Sequence, residues 1–70
     1  MTGKKSEADW AFQILQEKQG PVSARELVED VLRRMNREVN STNMASVYTQ
    51  INLDNRLTHV GDGYWAIRIR

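Results

Sequence analysis

The sequence predicts an α+β domain in which three helices are closed by a C-terminal β-hairpin. Three observations predict it. A helical period ends at Gly20-Pro21, a capped amphipathic segment opens at Ser23, and an alternating aromatic and β-branched ribbon follows Gly61-Asp62-Gly63. Seventy residues hold one domain. A chain of that size buries only ~60% of its unfolded surface, so its core is expected to be thin.

Residues 1–5 are expected to be a flexible polar tail, and the domain is expected to span residues 6–70. Ser6 reads as an N-cap, with Asp9 three residues later and Glu7 in the first turn. From Ser6 to Gln19, the residues Ala8, Trp10, Ala11, Phe12, Ile14 and Leu15 form one broad apolar arc. Gly20 supplies the expected stop, and Pro21 enforces it. Ser23 and Glu26 have the spacing of a capping box. Ala24, Leu27, Val28, Val31, Leu32 and Met35 then share a stripe. On the wet face, Arg25–Glu29, Glu29–Arg33 and Asp30–Arg34 stand at i,i+4. Such exposed pairs ordinarily do no more than solvate a surface.

Asn36 to Asn40 reads as a connector. Ser41 or Thr42 can cap a third helix reaching about Leu53, with Met44, Val47, Tyr48 and Ile51 inward. That helix has no charged residue, and its other face carries Asn43, Ser46, Thr49 and Gln50. Leu57 to Val60 and Tyr64 to Ile69 read as strands joined by the glycine-flanked turn. Trp65, Ile67 and Ile69 take one face; Tyr64, Ala66, Arg68 and Arg70 take the other. A short third strand at Val22 can join them. Trp10 or Phe12, Leu15, Leu27, Val31, Val47, Ile51, Trp65 and Ile67 are expected to share one core. Helix, short strand, helix, helix and hairpin make a winged helix-turn-helix.

Composition removes several function classes. The chain has no cysteine, which excludes disulfides, zinc ribbons and thiol chemistry and fits a reducing cytoplasm. No run approaches the ~18 apolar residues of a membrane span. Met1 to Lys5 has no apolar stretch behind its lysines and does not read as a signal peptide. Asn40-Ser41-Thr42 is then a chance match to a glycosylation acceptor. His59 is the sole histidine and has no partner for a catalytic dyad. Asp54 and Asp62 lie in turns, where aspartate bonds nearby backbone amides. Gly61-Asp62-Gly63 lacks the length and the Lys-Ser/Thr of a phosphate loop. A chain this small does not comfortably enclose a substrate pocket. No enzyme activity, cofactor or metal is expected.

The net charge is +1, but the halves differ. Residues 1–30 hold four basic and six acidic side chains, and residues 31–70 hold six basic and three acidic ones. Arg33, Arg34, Arg37, Arg56, Arg68 and Arg70 thus give the second half a mild cationic bias, a footprint for phosphate or an acidic protein surface.

Three stretches together resemble the HARE-HTH winged-helix family: Ala11 to Val31 (AFQILQEKQGPVSARELVEDV), Tyr48 to Leu57 (YTQINLDNRL) and Gly61 to Arg68 (GDGYWAIR). The best-known member of that family is the amino-terminal domain of the delta subunit of Gram-positive bacterial RNA polymerase. The resemblance implies a non-enzymatic, cytoplasmic module of transcription or chromatin machinery, docking on RNA polymerase or a related protein. In delta subunits a long acidic tail follows the folded domain. No acidic run of that kind is present in these residues, so the resemblance carries the fold and not the tail-dependent activity.

Two partner classes stay open at this point. If the third helix enters a major groove, Asn43, Ser46, Thr49 and Gln50 are its base-facing candidates. Arg56, Arg68 and Arg70 are then candidates for phosphate contacts, and Tyr64 for stacking or anchoring. The absence of Lys and Arg from the third helix argues instead for a protein partner. A face that merely solubilises the helix is the plainest alternative, and a monomer is expected in every case.

Overall fold

The computed structural model describes residues 5–68. The chain runs α1 (Glu7–Lys18), β1 (Val22–Ser23), α2 (Ala24–Arg34), α3 (Ser41–Leu53), β2 (Leu57–His59) and β3 (Tyr64–Ile67). Helix α1 starts where Ser6 predicts it: Ser6 Oγ accepts from the Asp9 amide, and the Ser6 amide donates to the Asp9 carboxylate. Its end differs from expectation by one residue. Gln19, not Gly20, takes the left-handed conformation, at φ 55°. The Gln19 amide donates to the Leu15 carbonyl, and Pro21 bars any further turn.

Helix α2 is capped by Ser23, whose Oγ accepts from the Glu26 amide. Only this half of the expected capping box forms, because the Glu26 carboxylate reaches toward Lys18 at 3.6 Å. The helix closes in a Schellman motif: Arg37 N–H donates to the Leu32 carbonyl, and Asn36 N–H to Arg33, with Asn36 at φ 58°. Arg25–Glu29 and Glu29–Arg33 pair as expected. The expected Asp30–Arg34 pair does not form; Arg34 turns to Glu17 at 2.6 Å, and Asp30 meets Arg33. The bidentate Arg–carboxylate geometry to α1 outcompetes a single contact along one helix.

Helix α3 is capped one residue earlier than expected. Asn40, rather than Ser41 or Thr42, accepts the Asn43 amide at 2.8 Å. Replacing Asn40 with Ala should cost about 1 kcal/mol of stability, whereas Ser41→Ala and Thr42→Ala should each cost less than about 0.5. Urea midpoints of the three variants check it.

The sheet has the order β1-β3-β2 and is antiparallel throughout. Val22 pairs with Trp65, so the third strand is present; Leu57 pairs with Ile67 on the other side. The hairpin turn bonds Tyr64 N–H to the Gly61 carbonyl. Asp62 and Gly63 both lie at positive φ, as a primed two-residue turn demands. The hairpin strands end earlier than expected, at His59 and Ile67; Ile69 and Arg70 lie outside the described residues, as do four of the five tail residues.

One core joins all the layers. Ile14, Leu27, Val28, Val31, Leu32, Val47 and Ile51 are sealed from solvent, and Trp65 closes them from the sheet with 7% exposure. Trp10, Phe12 and Ile67 pack on its rim rather than inside it. Tyr48, expected inward, is 38% exposed. At about 100° per residue, Met44, Val47 and Ile51 already fill the arc that α2 and the sheet can cover. Tyr48 falls at its edge.

A candidate nucleic-acid interface on helix three and the wing

Helices α2 and α3 form a helix-turn-helix pair. In that arrangement the second helix is the one offered to a partner. With Val47 and Ile51 facing the core, the outward arc of α3 runs through Thr42, Ala45, Thr49, Asn52 and Leu53, all exposed. Leu53 is 72% exposed. Tyr48 borders this arc on one side, and Ser46 and Gln50 border it on the other.

The predicted site residues separate into three groups. Thr49 and Gln50 are exposed on α3, and Tyr64 and Arg68 are exposed on the wing. Asn43 and Ser46 are taken up internally. Asn43 Nδ2 donates to the Glu38 carbonyl at 2.8 Å, helping to fix the connector. Ser46 Oγ donates to the Glu7 carboxylate at 3.1 Å. Arg70 lies outside the described residues.

Glu7 explains why Ser46 is committed. It is 8% exposed, and Arg37 Nη1 donates to the same carboxylate at 2.7 Å. A buried carboxylate is stable only when paired and hydrogen-bonded. Glu7 therefore ties the first turn of α1 to the connector and to the middle of α3. The sequence showed it only as an acid in a helix's first turn.

Arg56 is also withdrawn from the predicted phosphate role. Its guanidinium donates to Asp54 at 2.6 Å and to Asp9 at 2.8 Å, and it lies over the Phe12 ring at 4.9 Å. The hydrogen bond from Arg56 is the main cause that holds both carboxyls below their ordinary pKa. The same bonds push the arginine's own pKa upward. With Nε and Nη2 committed to Asp54 and Asp9, the guanidinium keeps only Nη1 for a phosphate.

The cationic bias of the second half is thus cancelled on folding. Three acids of α1 each meet an arginine from that half: Glu7 with Arg37, Asp9 with Arg56, and Glu17 with Arg34. Donation from Arg34 lowers the exposed Glu17 carboxyl to about 2. Arg68 is the arginine that makes no ion pair with any described residue. It sits at the end of β3, where its amide donates to the Arg56 carbonyl.

His59 and Asp54, also singled out in the sequence, make contacts within the fold. His59 is exposed and meets Trp65 edge-on, with ring centres 5.5 Å apart. Asp54 is bound to Arg56, as described. Among the described residues no group of three His, Cys, Asp or Glu could hold a metal. No helix among them is long and apolar enough to cross a membrane. A groove of about 740 Å³ lies between the end of α1 and the wing, lined by Leu15, Pro21, Val60 and Ala66 among others, with no residue from α3.

The three helices, the three-stranded sheet and the exposed second helix of the pair define a winged helix-turn-helix. The chain belongs to the HARE-HTH family. The family model, described as a helix-turn-helix domain of ASXL and restriction endonuclease proteins, matches residues 6–69. No curated protein shows a significant match to the chain.

Proposed function

We propose that this domain binds double-stranded DNA as a non-catalytic module, with α3 in the major groove and the wing on the adjoining backbone. The outward face of α3 carries the reading: it is exposed along its whole length, rich in hydrogen-bonding side chains, and borne on the second helix of a helix-turn-helix. Membership of a helix-turn-helix family supports the same class of partner. Thr49 and Gln50 are the base-facing residues retained from the sequence, joined by Thr42 and Asn52. Arg68 positions the domain through a phosphate, and Tyr64, 44% exposed on the same hairpin, lies against the sugar-phosphate edge.

Internal pairing of the other described arginines has a measurable consequence. Each neutralised phosphate contributes a salt slope of about −0.9, so a domain that reaches one or two phosphates should bind with a log–log slope no steeper than about −2. Titration of a duplex between about 50 and 200 mM salt measures it. Arg68→Ala should weaken binding to every sequence and flatten the slope by about 1. Flat titrations at low salt with every duplex tried would overturn the reading.

A second reading, docking on RNA polymerase or another transcription protein, draws on different residues. Exposed Tyr48, Leu53 and Tyr64 are apolar anchors of the kind that protein interfaces bury. Retention on purified polymerase core that Leu53→Ser abolishes, without any duplex binding, would favour it over the first.

A further inference from the structure

We infer that α3 selects A·T-rich duplex, accepting hydrogen bonds from adenine N6 while packing against the neighbouring thymine methyl; this rests on the DNA-binding reading above. The inference comes from how the exposed polar groups of α3 are already spent. Thr49 Oγ1 donates its hydrogen to the Ala45 carbonyl at 3.0 Å. Asn52 Nδ2 donates to the Tyr48 carbonyl at 3.0 Å. With those donors turned back onto the helix, Thr49 keeps its oxygen lone pairs and its methyl for a partner. Asn52 keeps its carbonyl oxygen and one N–H. Thr49 and Asn52 together therefore offer more acceptors than donors, beside the small apolar surface of Ala45 and the Thr49 methyl.

The major-groove code gives this face one good complement. A guanine presents two acceptors, N7 and O6, and is most often met by Arg or Lys, neither of which is present on α3. Cytosine presents a donor but no methyl. An A·T pair presents the adenine N6 donor and the thymine methyl together. Adenine N6 can bond the Asn52 or Thr49 oxygen, while Thr42, Ala45, Thr49 and Leu53 supply apolar surface for the methyl. From Thr42 to Leu53 the helix extends about 16 Å, a reach of four or five base pairs.

The test uses the intact domain and duplexes of equal length in one buffer. One is A·T-rich and one is G·C-rich. The third is the A·T-rich duplex with deoxyuridine replacing thymidine, which deletes the methyl and leaves the minor groove unchanged. The A·T-rich duplex should bind roughly tenfold or more tighter than the G·C-rich one. Deoxyuridine should weaken binding about fourfold for each methyl contacted. Thr49→Ser keeps the hydroxyl, loses the methyl, and should narrow the gap between the thymidine and deoxyuridine duplexes while its circular dichroism matches the wild type. Equal affinity for A·T-rich and G·C-rich duplexes would overturn this inference and leave the DNA reading standing. So would an A·T preference untouched by deoxyuridine, because no thymine methyl would then be in contact. Absence of binding to all three would overturn both.

Discussion

Trp65→Ala should unfold a large part of the population, or lower the urea midpoint by more than half. Removing a buried tryptophan side chain costs about 3–5 kcal/mol, because the cavity left behind collapses only in part. A 70-residue domain has about 4–10 kcal/mol of total stability. Trp65 also stands at the centre of the sheet, paired with Val22 on one side and His59 on the other, so its loss weakens β1 and β2 at once. Ile67→Ala, on the rim of the core, should cost only about 1–2 kcal/mol. Far-UV circular dichroism is the proper probe for both, since Trp10 becomes the sole tryptophan once Trp65 is replaced. A loss below about 1 kcal/mol for Trp65→Ala would mean that the wing is not part of the core.

Arg56→Ala should destabilise the fold by about 1–2 kcal/mol at neutral pH and become more benign in acid. The guanidinium joins the α1 start, the turn after α3 and the Phe12 ring, so several weak interactions fall together. With about two-fifths of each of Arg56 and Asp9 exposed, solvent screening keeps the figure at this level rather than higher. Its pH dependence follows from the lowered carboxyls. Asp9 and Asp54 are more acidic folded than unfolded, so their contribution is complete above the unfolded value near pH 4. It is lost as pH falls through the lower folded values. The stability difference between wild type and Arg56→Ala should therefore hold steady from about pH 7 to 5 and narrow below about pH 4. Duplex affinity at neutral pH should barely change in folded Arg56→Ala protein. A large loss of affinity would restore Arg56 to the phosphate-contacting role that the sequence suggested.

Much of the fold was legible in the order of residues. Ser6 and Ser23 cap the helices assigned to them, Val22 forms the third strand, and the glycine-flanked turn makes the hairpin. The outward face of α3 was read with an error in rotation. Counting Tyr48 among the inward residues turned the predicted outer face toward Asn43 and Ser46, away from Ala45, Asn52 and Leu53. Val47 and Ile51 alone, projected at helical spacing, would have pointed nearer the exposed face. No local signal could have shown that Ser46 belongs to Glu7.

The elements could be read from the chain because caps, turns and apolar periodicity act over a few residues and are written where they act. Which charges stay available is a different matter, settled by packing. Arg34 meets an acid 17 positions away, Arg37 one 30 away and Arg56 one 47 away, so their pairing depends on how the helices are laid together. Folding brings the acids of α1 against the arginines of the second half, and the basic patch counted along the chain is neutralised in space. What is left exposed is an uncharged helix and, among the described residues, one unpaired wing arginine.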